Sequence, residues 1–451
     1  MSSSRTHAPV IRVPLGTGQV EVPPIDGIAF SLVEANRLPA LADPAQAACD
    51  AIALPLGAPA LRELAHGKRN AVIAVTDATR DCPDHIMVPP MLAELSAAGM
   101  PDEAITILVA VGTHRASTEA EKRAKLGDAI VDRYRVIDHD AADDARLATI
   151  AKPVDGLTFR LNKEALETDL LLSTGRVEPH QYAGFSGGGK TVAIGCASEE
   201  VIVATHGPAM LDRPGVRLAE LAANPFQQAV RAVARAANVA FVANCVLDDE
   251  GRMIAIAYGA PEAVQDHLAG PARTIATAPL AHQVDIAIAG VGAPKDANLY
   301  QASRAATYLQ YAPVPVVRPG GVIVLPATCP EGAGEGEGER RFRTSMSTGE
   351  SPAEIVRRIK RDGIRPGEQR AYIVANVLAS VTVIVVGMEQ PEIAREMGFQ
   401  TSDSLASALE MALAITGKPS TAAIVPHALV TLPIIRENRE TGFDEAASGS
   451  L

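Results

Sequence analysis

Along this chain, short runs of consecutive apolar residues alternate with longer stretches in which apolar positions recur at helical spacing. AVIAV (71–75), ITILVAVG (105–112), DLLLS (169–173), VAFVANCV (239–246), DIAIAGVG (285–292), GVIVL (321–325), VTVIVV (381–386) and TAAIVP (421–426) predict strands. These runs are unbroken rather than alternating, so each strand has to be covered on both faces. That is the condition of a parallel sheet between helical layers. PPMLAELSAAG (89–99), the long RLAELAANPFQQAVRAVARAANV (217–239), PAEIVRRIKR (352–361) and DSLASALEMALAITG (403–417) predict helices. The fold class is α/β.

With 451 residues the chain exceeds one ordinary core, so two α/β domains with mostly parallel sheets are expected, with an active site in the cleft between them. GPARTIATAPLAHQ (270–283) interrupts the pattern before a fresh strand and sets the expected domains at 1–275 and 276–451. EGAGEGEGERR (331–341) predicts a mobile loop. No internal repeat of solenoid period is present.

Composition narrows the function classes. Hydrophobic residues at 47% and charged residues at 21% describe a globular chain, and a net charge of −12 with no basic run excludes a nucleic-acid partner. The first residues, MSSSRTHAPVIRV, lack the apolar core of a signal peptide, and no window reaches the ~18 apolar residues of a membrane span. Cys49, Cys82, Cys196, Cys245 and Cys329 are scattered without C-x-x-C spacing, as expected for reduced thiols of a cytoplasmic protein.

Candidate chemistry lies just past predicted strands, where loops carry function. Asp77 and Arg80 follow AVIAV, His114 and Arg115 follow ILVAV, and His180 and Lys190 follow LLLS. AGFSGGGKT (183–191) satisfies the P-loop spacing through Gly184, Gly189, Lys190 and Thr191. Three features oppose an ATP site. About ten residues, including Pro179, separate the preceding strand from the glycines; the following TVAIGCAS is not helix-starting; and Asp77, the one Walker-B-like aspartate, precedes the loop instead of following it. Successive glycines can still expose N–H groups to an anion, with Ser186 and Lys190 as further donors. A tight turn alone explains glycines but not the lysine.

Of the ten histidines, His7, His66, His267 and His282 read as surface residues; His85, His139 and His427 are weaker candidates. His114, His180 and His206 stand apart, the last two flanking Lys190. Imidazoles grouped with a lysine suit acid–base work or metal ligation, although no H-E-x-x-H or other helical ligand spacing occurs.

VTDATRDCP, VGTHRASTEAE, STGRVEPHQYAGFSGGGK, ATHGP and GAPKDANLYQ, in this order and spacing, resemble the nickel-pincer-nucleotide lactate racemase family, and the likeness runs from LGTGQVEVPPI near residue 15 to the late strands. The resemblance implies two α/β domains and a covalent cofactor, the pyridinium-3-thioamide-5-thiocarboxylic acid mononucleotide nickel pincer, made by separate biosynthesis proteins. Lys190 would carry it as a thioamide, His206 would complete the nickel coordination, and Asp77, Ser186, Gly187 and Gly188 would hold or orient it. The implied reaction is inversion of a 2-hydroxy acid by reversible hydride transfer, with His114 and His180 as acid and base. Arg80 would bind the substrate carboxylate, with Tyr300 and Gln301 lining the substrate side.

The likeness is imperfect around the substrate. Arg304 stands where the lactate-racemising members have lysine, Ala78 and Asp81 where histidine and proline are usual, Tyr182 at a phenylalanine-like position and Ala193 at a proline. Tyr300 and Arg304, four apart, share a helix face. A grip by Arg80 and Arg304 would suit a larger or dicarboxylic hydroxy acid as well as lactate. Alternatives outside this chemistry are a P-loop NTPase and a cofactor-free binding protein of the same fold.

Overall fold

The computed structural model describes residues 10–150 and 158–435. Two six-stranded sheets organise it. The first runs in the order Met253–Gly259, Val239–Leu247, Leu171–Arg176, Ala71–Thr76, Ile105–Ala110, Arg135–Asp138, parallel except for the Met253–Gly259 edge. The second runs Gln400–Ser402, Thr382–Val386, Val317–Pro326, Val284–Ala289, Ser420–Val425, Ile28–Leu32 and is parallel throughout. All eight apolar runs picked out by pattern are strands of these sheets. Their central residues, such as Ile73, Leu108, Leu172, Ile288 and Val324, are buried, as strands sandwiched between helices must be.

Chain order reverses inside each sheet. In the first, the chain builds outward from Ala71–Thr76 and then returns to place Leu171–Arg176 on its other side; in the second, Ser420–Val425 returns beside Val284–Ala289. Loops leaving adjacent strands diverge at such a point and open a crevice at the strand C-termini. Asp77 and His180 leave the two strands at the first reversal, so the topology itself assembles the candidate site.

Three expectations need correction. Helix within 217–239 covers only Pro225–Ala236. Pro225 disfavours α conformation at Asn224, whose side chain instead caps the helix at Gln227 N (3.1 Å). The glycine-rich stretch 331–341 is not all loop, since a helix spans Glu337–Met346, with Glu339 accepting from Gly336 N at 2.8 Å. Its glycines permit close packing, Gly338 lying against Gly367. The segment after the 184–189 loop does begin a helix, the single turn Lys190–Ala193.

The strand Ile28–Leu32 was not predicted, and it places part of the expected 1–275 unit in the second sheet. The edge strands Arg135–Asp138 and Met253–Gly259 were also not predicted. Among the described residues no helix is long and apolar enough to cross a membrane. Four of the five thiols are buried, Cys49 is exposed, and all five are free.

Candidate active site

Strand ends supply one wall. Past Ala71–Thr76, the Asp77 carboxylate is buried and accepts from Thr79 N (3.0 Å) and Thr79 Oγ1 (2.6 Å) with one oxygen. Its other oxygen meets His114 Nδ1 at 2.5 Å. Burial alone would raise this carboxyl, but the His114 hydrogen bond and charge, with Arg80 and Thr79, bring it down to about 2. A carboxylate only accepts, so His114 donates to Asp77 through Nδ1–H and turns Nε2 away from it. The His114 side chain is 46% exposed and open to a ligand. Arg80 is also exposed, whereas Arg115 is engaged by Glu121 at 2.6 Å and serves the local fold.

His180, past Leu171–Arg176, is held the opposite way. Its Nδ1 accepts from the Tyr182 and Ala183 N–H groups, both at 3.2 Å, so the neutral ring carries its proton on Nε2. Desolvation, then the charges of Lys190, His206, Arg80 and Arg304, hold His180 well below the usual histidine range. Lys190 is half-buried, and desolvation followed by Arg80 lowers its amine to about 8. His206 ends the helix Glu199–His206 and is buried. Desolvation and Lys190 push it down to about 3, against the pull of its bond to the Ile202 carbonyl. That bond, Nδ1–H to Ile202 O at 3.0 Å, leaves Nε2 as a free donor atom.

The glycine loop is built from within. Ser186 Oγ donates to Arg176 O (2.6 Å) and accepts from Glu178 N (3.1 Å); Gly188 N donates to Asn244 Oδ1 (2.6 Å). Thr191 Oγ1 donates to Thr174 O at 2.7 Å, so the hydroxyl that would hold magnesium in a P-loop is committed to a strand carbonyl. Gly187 and Gly188 have φ of +80° and +58°, and a Cβ at Gly187 would lie 2.5 Å from Val177 Cγ2. The Ser186 hydroxyl and the Gly188 N–H thus shape the turn that presents Lys190, while the amine is left for chemistry.

The helix Leu299–Gln310, capped by Asn298 at Gln301 N (3.0 Å), supplies the substrate-side candidates. Arg304 reaches Gln301 Oε1 (3.5 Å) and the Tyr308 hydroxyl (3.2 Å), and Thr307 Oγ1 donates to Gln181 Oε1 (3.2 Å), tying this helix to the His180 loop. Tyr300 packs edge-on against Phe342 with centroids 5.5 Å apart. Tyr182, noted in the sequence only as a departure, lies edge-on to both His180 (5.6 Å) and His206 (5.5 Å). Pattern missed Asn224 and Asn244, which brace this region through Tyr182 O (2.7 Å) and Gly188 N. An asparagine in a helix cap or a strand carries no signal of such a partner.

The remaining histidines are not gathered here. His139 is buried and bonded to Ala197 O (3.0 Å) and Asn162 (3.2 Å) as a core residue. His66, His85, His267, His282 and His427 are exposed, and His7 lies outside the described residues.

Two family models match the chain: the lactate racemase N-terminal domain over residues 15–219 and the lactate racemase C-terminal domain over 280–432. A lactate racemase of Lactiplantibacillus plantarum is 34% identical over 380 residues, covering 83% of this chain and 87% of that one. A lactate racemase of Thermoanaerobacterium thermosaccharolyticum is 33% identical over 390 residues, covering 85% and 88%. The solved lactate racemase apoprotein from T. thermosaccharolyticum superposes with a TM-score of 0.85 at 30% identity, covering 95% of this chain and all of that one. A Thermotoga maritima protein of 19% identity shares the fold, with a TM-score of 0.62.

Proposed function

The chain belongs to the lactate racemase family, and from that premise we propose that it inverts C2 of a 2-hydroxy acid with a nickel-pincer nucleotide carried on Lys190. Family membership makes it a racemase, hence an isomerase. The observation that carries the finer reading is the gathering of one amine and two imidazoles anchored in opposite senses, one donating and one accepting through Nδ1.

The residues present fit the cofactor. His206, neutral and anchored through Nδ1–H, offers Nε2 to a metal. Among the described residues no three His, Cys, Asp or Glu side chains converge on a metal, so a metal here would take its remaining donors from a bound group. Lys190, lowered to about 8, has an uncharged fraction near neutral pH, the form that joins an acyl group. When bound, the cofactor supplies a hydride acceptor and donor for C2.

The chain supplies the rest. His114 Nε2 receives the hydroxyl proton, and Asp77 stabilises the resulting imidazolium. His180 presents Nε2–H to the substrate oxygen from a ring fixed by two backbone donors. Acylation of Lys190 would remove one of the charges that, after desolvation, hold His180 below the usual histidine range. The Arg80 guanidinium suits the substrate carboxylate, and Tyr300, Gln301 and Arg304 line the substrate side. Lactate or a larger or dicarboxylic hydroxy acid is the expected substrate, and the cofactor-biosynthesis proteins are the expected partners.

Intact mass and metal analysis of chain co-produced with those proteins is the test. A nickel-bearing adduct should map to Lys190, vanish in Lys190→Ala, and lose most of its nickel in His206→Ala. The loaded chain should racemise a chiral 2-hydroxy acid. An unmodified, nickel-free chain under those conditions would sink this reading and leave a binding protein of the same fold.

A further inference from the structure

Beside the Leu299–Gln310 helix, three buried polar groups have lost water without gaining a protein partner. Arg370, in the first turn of the helix Gln369–Ser380, is only 9% exposed, yet its Nε and Nη1 have no hydrogen-bond acceptor. Its guanidinium carbon lies 5.3 Å from the Tyr300 ring centroid. The Tyr182 hydroxyl is buried and unpartnered, as is Gln181 Nε2. Among the described residues the hydrogen bonds of the Arg304 guanidinium go to the neutral side chains of Gln301 and Tyr308.

A buried guanidinium cannot shed its proton, so burial without a counter-charge is a standing cost unless a ligand brings the anion. Tyr300, on which Arg370 stacks, and Arg304 lie one turn apart on one helix, and the Thr307–Gln181 bond holds that helix against the loop that carries Tyr182. The Tyr182 ring edge, in turn, rests against His180 and His206. Arg80, past the strand Ala71–Thr76, already serves the carboxylate next to the reacting carbon in the reading above. What the second cluster lacks is a second anion, and its planar, bidentate donors match a carboxylate.

We propose that Arg370, with Arg304 and the Tyr182 hydroxyl, forms a second anion pocket that takes the distal carboxylate of a 2-hydroxy dicarboxylic acid. The proposal rests on the racemase reading and names its substrate class. Arg370 and Tyr182 then determine specificity, and they distinguish a diacid from a monoacid of the same length.

The test compares racemisation of malate and 2-hydroxybutyrate, both four-carbon acids, by the loaded enzyme. The kcat/KM ratio of diacid to monoacid should exceed about ten, fall about thirtyfold in Arg370→Gln, chiefly through KM, and lie between the two in Arg370→Lys. Tyr182→Phe, which removes one hydroxyl, should lower the same ratio and stands in if Arg370→Gln does not fold. A ratio unmoved by the substitutions overturns the pocket. So does loss of nickel and the Lys190 adduct in Arg370→Gln, because the guanidinium would then serve the cofactor's phosphate. If the unaltered enzyme turns over neither these acids nor lactate, the racemase reading has failed, and calorimetry with succinate and butyrate judges the pocket alone. Tighter succinate binding that Arg370→Gln abolishes upholds it; no preference for succinate ends it.

Discussion

His114 and His180 differ in one respect that matters for proton transfer: the sense in which Nδ1 is tied to the protein. Asp77 accepts a hydrogen bond from Nδ1–H of His114, whereas backbone N–H groups donate to Nδ1 of His180. Identical side chains are thereby anchored in opposite senses before any ligand arrives. Lys190 stores a complementary cost. Its folded value of about 8 lies below the ordinary 10.5, so between these pH values the unfolded chain binds more protons and stability rises with pH. Below pH 8 the full cost of burying the cation is present, about 2 kcal/mol after allowance for its partial exposure. Lys190→Met should therefore stabilise the cofactor-free chain by roughly that amount at pH 7 and hardly at all near pH 10.5, read from urea midpoints. An equal gain at both pH values would assign the effect to packing instead of charge.

The element that presents Lys190 is a glycine turn wedged against a neighbouring turn. Gly184 has φ +73°, and a Cβ there would fall 1.6 Å from the Glu220 carbonyl oxygen. The same carbonyl accepts from Asn224 Nδ2 (3.2 Å), which caps the helix Pro225–Ala236. Gly99 has a comparable φ of +86° but open space where its Cβ would lie. Gly99→Ala should therefore cost only about 1 kcal/mol of backbone strain, while Gly184→Ala should cost at least about 3 kcal/mol. Chemical denaturation of the two variants checks this, and equal losses would mean that the contact with Glu220 relaxes freely.

At the scale of the whole molecule, the two sheets do not divide the chain into consecutive halves. Ile28–Leu32 pairs with Ser420–Val425 and closes the edge of the second sheet from the far end of the sequence. A fragment of residues 276–451 leaves that edge unpaired, a condition that favours aggregation. It should melt well below the full chain or precipitate, and fusing residues 10–42 to it should restore a cooperative melt in circular dichroism. A cooperative melt of the bare fragment at the full chain's midpoint would show the strand to be dispensable.

The α/β class, the eight apolar strands and the strand-end positions of Asp77, His114 and His180 were legible because burial on both faces writes an unbroken apolar run, and a polar residue just after it is locally visible. Ile28–Leu32, Arg135–Asp138 and Met253–Gly259 were not, because edge strands are covered on fewer sides and need no such run. The helix start at Asn224-Pro225 was written in the sequence, but the apolar periodicity running through 217–239 hid it. Membership of Lys190 and His206 in one site was suggested by motif order; that His206 frees Nε2 and His180 presents Nε2–H was decided by the Ile202 carbonyl and the Tyr182 and Ala183 amides. Arg370, far along the chain from every motif, gained meaning only when folding set it beside Tyr300 and left its donors unpaired. Periodicity records what a residue needs from solvent, and so the sequence determined the layers; hydrogen-bond partners distant in sequence leave no such periodic trace, and so tertiary structure alone decided where the protons and the unpaired charges lie.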